Sequence, residues 1–363
     1  MKSHLPKCQN HKLYGDFFTL NREEELMNKR SSFLSEEFVL IILGAINANE
    51  ADRKLLPSEA EPFRVFIDGE LRTAKYFDAW SALGISSLAF NPDDPFDVFI
   101  TKPVNEATRI VKLDLNEGSA EDLEIHKIRD VHEMIIYDRN LWLANTGFDE
   151  AVAFNIDDNR IINRIDLSSF KRSNASVETN RRSEEENVDR FHLNQVFKGM
   201  DGNLYGLVHH ITGRQIVRKV GTKILKSQGN GGVIRLSTGE GIGLGLRSPH
   251  TVRIVGDDYW IMDSGNFCIN IYDQDWRLID SLKTKGYGRG ADILPSSGIY
   301  FAGISEIRKR YLKLFPGSSP NMVQLIDFKS KQIEDEIIVE TGVEQINNVY
   351  VIPREVGEAF LSL

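Results

Sequence analysis

Three stretches of this 363-residue chain share one layout: "DVHEMIIYDRNLWLANTG", "RFHLNQVFKGMDGNLYGL" and "RSPHTVRIVGDDYWIMDSGN". In each, a histidine stands at the head of an apolar run, a turn rich in Gly, Asp or Asn follows, and a second apolar run comes next. The histidines are His132, His192 and His250, so the intervals are 60 residues (192 − 132) and 58 residues (250 − 192). So regular a period marks a repeated supersecondary unit and restricts the fold before any other consideration.

The unit reads as four short strands. From His132 come "VHEMII", "NLWLANT", "AVAFNID" and "RIINRIDL"; from His192 come "LNQVF", "NLYGLVH", "QIVRKV" and "GGVIRLS". "HTVRIV", "YWIMDS", "CINIYD" and "RLIDSLK" follow, then "ADILP", "GIYFAGI", "VQLIDF" and "IEDEIIVE". An earlier copy is "ISSLAF", "DVFITK", "RIVKLDL" and "LEIHKI". Four antiparallel strands per unit, repeated, is the sequence form of a β-propeller blade. Outside these five copies remain "FVLIILGAI", "RVFIDGE" and "RTAKYF" near the start and "INNVYVIP" near the end. Three strands from one terminus and one from the other make a sixth blade, which closes the ring and leaves no open sheet edge. The expected fold is all-β: a six-bladed propeller over residues 33–363, first blade closed by the C-terminal strand, behind a short N-terminal extension, 1–32. A seven-bladed ring or an open β-solenoid is the alternative. Residues 168–189 carry many charges and no hydrophobic period, and read as a solvated loop between blades.

Composition narrows the functional classes. A formal net charge of −9 speaks against general nucleic-acid binding, which leaves a basic footprint. With only Cys8 and Cys268 no disulfide framework is available, which suits a reducing compartment. The longest apolar run, Phe38 to Ile46, is about half a membrane span, and the N-terminus lacks the apolar core of a signal peptide. The expectation is a cytoplasmic protein with neither membrane nor nucleic-acid partners.

The first strand of a propeller blade lines the central channel, so residues at its start converge from different blades. His132, His192 and His250 at equivalent positions would then face one small space. Neutral imidazoles so placed are ligands for zinc or a similar divalent metal, which acts as a Lewis acid or generates hydroxide near neutral pH. The competing reading is three structural hydrogen-bonding residues that bridge blades. Arginines sharpen the case: Arg129 and Arg247 stand three residues before a histidine, Arg190 two before, and Arg289 at the start of the next blade. Guanidinium groups at one rim of an acidic protein suit a small anionic substrate, which they read through a planar fork. Pairing with local acids such as Asp130, Asp189 and Asp292 is the alternative. Asn194, two residues beyond His192, and Glu306, at the end of an inner strand, complete the candidate substrate contacts, with Gln345 and Asn347 at the last strand. The His209–His210 pair could join the site or cap an edge, whereas His126, Trp142 and Trp260 read as structural. "GTKILKSQGNGGVIRL" and "STGEGIGLGL" match no phosphate loop and read as turns, so no nucleotide cofactor is expected.

These same pieces carry a resemblance. "VHEMIIYDRNLWLANTGFD", "DRFHLNQV", "GLRSPHTVRIVGDDYWIMDSGN", "RGADILPSSGIYFAGISEIR" and "EQINNVYVIP" are similar in order and spacing to a bacterial family of conserved hypothetical proteins, domain of unknown function 4915. The resemblance spans about 130–353; it implies a propeller and supports the motif positions, and it implies no reaction. More distantly, the layout resembles propeller lyases such as the peptidylglycine-amidating and streptogramin lyases, which place histidines around the axis.

Two functions fit. One is a channel-centred lyase or hydrolase that uses His132, His192 and His250, with Arg129, Arg247 and Arg289 holding a carboxylated metabolite or acidic sugar. The other is a non-catalytic propeller that binds a ligand or protein.

Overall fold

The computed structural model of the chain describes residues 34, 36–47, 53–78, 80, 84–104, 107–170, 189–213, 229–306 and 320–363. Within them the apolar runs form six four-stranded antiparallel sheets. Blade two holds Leu88–Asn91, Asp94–Val104, Ala107–Asp114 and Ser119–Asp122, and blade three runs from the inner strand Val131–Tyr137 to the outer strand Arg160–Asp166. Blade four begins at Leu193–Lys198, blade five at Pro249–Val255 and blade six at Tyr287–Leu294. Blade one is the shared one. Its inner strand is Gln345–Pro353, which pairs antiparallel with Phe38–Ala45 from Phe38↔Pro353 to Ala45↔Gln345. The ring is therefore closed by hydrogen bonds between the two ends of the chain, and the six-bladed reading holds.

Burial follows position within the blade. The second strand of blade six, Ile299–Ser305, is buried at every residue, whereas Ser119–Asp122 on the outside of blade two is wholly exposed. Apolar side chains meet between neighbouring blades in six clusters, one per junction. Trp142 belongs to the core between blades three and four, and Trp260 to that between five and six.

Three strand assignments differ from the sequence reading. "LEIHKI" is not the outer strand of blade two: Leu123, Ile125 and Ile128 pack instead into the core against blade three. "GIGLGL", read as a turn, is the outer strand Gly241–Leu246, whose alternating glycine and aliphatic residues suit a half-exposed edge. "RTAKYF" divides into the strand Glu70–Thr73 and a 3₁₀ turn, Lys75–Phe77, whose Phe77 stacks on Phe63 at 4.3 Å. "QIVRKV", the extension 1–32 and most of the charged 168–189 segment lie outside the described residues. The chain also ends in a helix, Arg354–Ser362, that the strand reading did not include. It buries Val356 and Phe360 at helical spacing against the first blade. No described helix is long and apolar enough to cross a membrane.

Candidate functional site

The inner strands reach the axis with a repeated irregularity. In five blades the pairing with the second strand slips by one residue near the channel: Val131 to Met134, Leu193 to Gln195, His250 to Val252, Gly288 to Ala291, and Ile346 to Asn348. Each slip is a β-bulge, which adds one unpaired residue and turns its side chain out of the ladder. Together with Glu133 and Gly290, also unpaired beside His132 and Arg289, the residues so placed include His132, Asn194, Thr251, Arg289 and Asn347. All five line one cavity of about 330 Å³ on the axis, with Ser86, Thr101 and Thr108 from blade two and Asp130, Glu133, His250 and Gln345 beside them.

This register changes how the histidines relate. His132 follows its last paired residue, His192 precedes its own, and His250 is itself paired. His132 and His250 are thus in register and His192 lies one residue earlier, although the three rings still come together. His132 and His192 lie 5.1 Å apart between ring centres, and His132 and His250 6.5 Å. His209 joins them at 4.2 Å from His192 and 5.5 Å from His250. The backbone is left-handed at His192 (φ 55°), Asp130 (φ 52°) and Thr251 (φ 28°). Such conformations cost about 1–3 kcal/mol each in a non-glycine residue and gather at functional sites.

Hydrogen bonds fix the rings. The His132 Nε2 lies 3.3 Å from Asp130 Oδ1, and His192 Nδ1 is 3.0 Å from Asp189 Oδ1. His250 Nδ1 is 3.0 Å from the Ser248 carbonyl and 2.9 Å from Ser264 Oγ. A carbonyl only accepts, and the Ser264 hydroxyl already donates to the Gly288 carbonyl, so the His250 proton sits on Nδ1 and the Nε2 lone pair is left. Burial, and after it the charge of Arg289, pushes His250 well below the ordinary imidazole range. Burial does the same for His209, with His192 and His250 adding to it. Both rings are neutral at pH 7. Asp130 is held well below the usual carboxylate range, above all by His132, with His192 and Arg289 acting in the same direction.

Arg289 borders the cavity with its Nη1 donating to Gln345 Oε1 and Asn347 Oδ1, both at 3.0 Å. Those partners are neutral amides that orient the guanidinium, and its charge also acts on Asp130 across the cavity lining. Asn194 also borders the cavity and ties blade four to five through the Pro249 carbonyl. Arg129, Arg247 and Glu306 are placed elsewhere. Arg129 lies 4.8 Å over the Phe148 ring and donates to the Gly147 carbonyl at 2.8 Å. Arg247 caps the corresponding corner of blade five, its backbone N–H donating to Asp263 Oδ1 at 2.7 Å. Glu306 pairs with Lys54 at 2.5 Å.

The sequence reading missed a buried charge cluster that reaches the cavity through Glu133. Glu133 Oε1 accepts from Arg253 Nη1 at 3.1 Å and from Gln195 Nε2 at 2.9 Å, and Arg253 Nε reaches Asp292 at 3.6 Å. The signal was present as doubled polar residues in otherwise apolar inner strands, "HE", "NQ" and "NN". A strict two-residue alternation assigns one member of each pair to the core, and the bulge releases it.

Comparison with known proteins agrees with this architecture. The model of the domain of unknown function 4915 matches residues 125–359. The chain belongs to that family. The match spans the four blades that carry the histidines and Arg289, together with the closing strand. No curated protein matches. Among solved structures, a nidogen/laminin complex aligns over 86% of this chain and 98% of its own, at 11% identity and a TM-score of 0.52. A protein of unknown function from Bacteroides caccae aligns over 87% and 99%, at 10% identity and 0.52. Both likenesses show the fold alone. A structure from Bacteroides fragilis named as a 6-phosphogluconolactonase covers 88% of this chain and 98% of its own, at 12% identity and 0.49; its name says nothing about this member of the family.

Proposed function

We propose that the axial cavity is the active site of a lyase- or hydrolase-type enzyme acting on a small anionic substrate, a carboxylated metabolite or an acidic sugar. Arg289 is the anion anchor. Asn194, Thr251 and Asn347, which occupy the equivalent bulges of neighbouring blades, offer amide and hydroxyl partners to the rest of the molecule. The histidines beside them supply proton transfer, with the Nε2 lone pair of neutral His250 as the accepting group and the Asp130-held ring of His132 next to it. One observation carries this reading: a fixed guanidinium and an imidazole with a free lone pair line the same axial cavity of about 330 Å³. An anion placed against Arg289 would lie beside the ring that must take its proton.

The test is thermal shift against sulfate, phosphate, citrate and uronic acids, with wild type and Arg289→Ala side by side. Binding at a hundred times the dissociation constant should stabilise the folded protein by about 2.7 kcal/mol, and Arg289→Ala should lose that gain. Equal shifts for both proteins, or none for either, would refute the anchor. A shift that depends on Arg289, with no turnover of any bound acid, would leave a binding protein rather than an enzyme.

A further inference from the structure

We infer that His132, His192, His209 and His250 together bind one divalent transition metal, of the zinc or cobalt type, beside the axial cavity. The inference stands without the Arg289 anchor; with the metal bound, the His250 Nε2 lone pair serves as a ligand and no longer as the proton acceptor.

The first support is the shape of the cluster. The four rings form a closed quadrilateral with sides of 5.1 Å (His132 to His192), 4.2 Å (His192 to His209), 5.5 Å (His209 to His250) and 6.5 Å (His250 to His132). Metal–nitrogen bonds of about 2.0–2.1 Å put the ring centres of four ligating histidines roughly 4.5–5 Å apart. Among the described residues no three ligand atoms already close on one point. Ligation therefore requires the rings to turn, and the longest side to shorten by about 1–2 Å on the same bond lengths.

The second support is what stands behind the rings. A ligating histidine commonly donates its other N–H to a carboxylate or carbonyl, which fixes the tautomer and raises ligand basicity. Asp130 stands behind His132, Asp189 behind His192 and the Ser248 carbonyl behind His250. Three rings from three blades thus have one nitrogen held and the other available.

The third is His209, and it argues against a purely structural cluster. His209 lies across from His192 at the start of blade four, its backbone N–H donating to the His192 carbonyl. Its Nε2 is buried and has no hydrogen-bond partner among the described residues. A buried imidazole nitrogen without a partner costs stability, and a metal ion is a partner that suits a neutral nitrogen packed against two other histidine rings.

The experiment uses tag-free, full-length protein stripped with a chelator. Zn²⁺ is titrated against a chromophoric chelator, and Co²⁺ is followed by visible absorption. One equivalent of Zn²⁺ per chain is expected, together with Co²⁺ ligand-field bands of a four-coordinate nitrogen site. His209→Gln should weaken Zn²⁺ binding by a hundredfold or more. Asp189→Asn, which touches no metal, should weaken it by about 10–100-fold while leaving the melting temperature of the stripped protein unchanged. It keeps the question open to measurement even if a histidine variant fails to fold. Absence of stoichiometric binding by wild type would overturn the inference, as would affinities unchanged in both His209→Gln and Asp189→Asn. Neither result touches the Arg289-dependent anion shift, so the two readings fail separately.

Discussion

Replacing Arg253 with Met should destabilise this propeller more than almost any other single change of similar volume. The guanidinium sits between Glu133, at 3.1 Å, and Asp292, at 3.6 Å, with the three side chains only 16%, 9% and 24% exposed. Burial raises Asp292, and Arg253 pulls it back down. Without Arg253, two buried carboxylates lose the cation they share. Breaking a buried pair in this way costs about 3–5 kcal/mol, which in a chain of this size lowers the melting temperature by roughly 4–7 °C. The pH dependence has a definite sign. A carboxyl whose folded pKa lies above its unfolded value binds more protons in the native state, so stability rises as pH falls through that raised value. The deficit of Arg253→Met relative to wild type should therefore shrink between pH 7 and pH 5. Adding Glu133→Gln and Asp292→Asn should recover most of the loss, because no uncompensated charge then remains. Differential scanning calorimetry at the two pH values measures all of this. A deficit equal at pH 5 and pH 7, or a triple variant no more stable than the single one, would refute the argument.

Three further outcomes follow from the closure of the ring and its supports. Glu344 accepts hydrogen bonds from the backbone of Asn47, Lys54 and Leu55; burial would raise its pKa, but these bonds outweigh burial and hold it below the ordinary value. The stability it adds is present above the unfolded pKa and lost as pH falls through the lowered one, so Glu344→Gln should cost about 1.5–3 kcal/mol at pH 7 and far less at pH 3, read by urea denaturation. A Cβ added at Gly290 would lie 2.2 Å from the Asn348 Cα, where blades six and one approach; Gly290→Ala should lower the melting temperature by several degrees, and an unchanged value would mean the junction is looser than this packing. Truncation before Gln345 removes the inner strand of blade one and uncovers Val39 to Leu43; the shortened chain should aggregate in light scattering, and a soluble chain melting with wild type would disprove closure by that strand.

The ring was legible in the sequence because each blade obeys local rules. Short apolar runs between Gly, Asp and Asn turns recur at a fixed interval, and the odd strands at the two ends have only each other to pair with. Where local rules conflict, the reading failed. Leu123, Ile125 and Ile128 look like an outer strand, but outer strands here are half exposed, and these residues are worth more in the core between two blades. "GIGLGL" fails in the opposite sense: glycine marks turns in most contexts, and the strand shows only in the alternation of Ile242 and Leu244.

The site was legible in its residue types and illegible in its register. Spacing from one histidine to the next pointed to His132, His192 and His250 as equivalents, and their rings do meet. The pairing keeps His132 and His250 equivalent, together with Arg289, at the first place of their bulges, sets Asn194, Thr251 and Asn347 at the second, and leaves His192 one residue ahead of its own bulge. A bulge is a single-residue event with no composition of its own, so no periodicity could have located it. The arginines show the consequence. Arg129 and Arg247 keep the same distance from their histidines and serve the same corner of their blades, on Phe148 and against Asp263. Arg289 has no such histidine, stands on the bulge itself, and is the one of the three that reaches the cavity. Distance along the chain from a landmark residue therefore identifies structural repeats in this fold, and position relative to the bulge identifies the side chains that face a ligand.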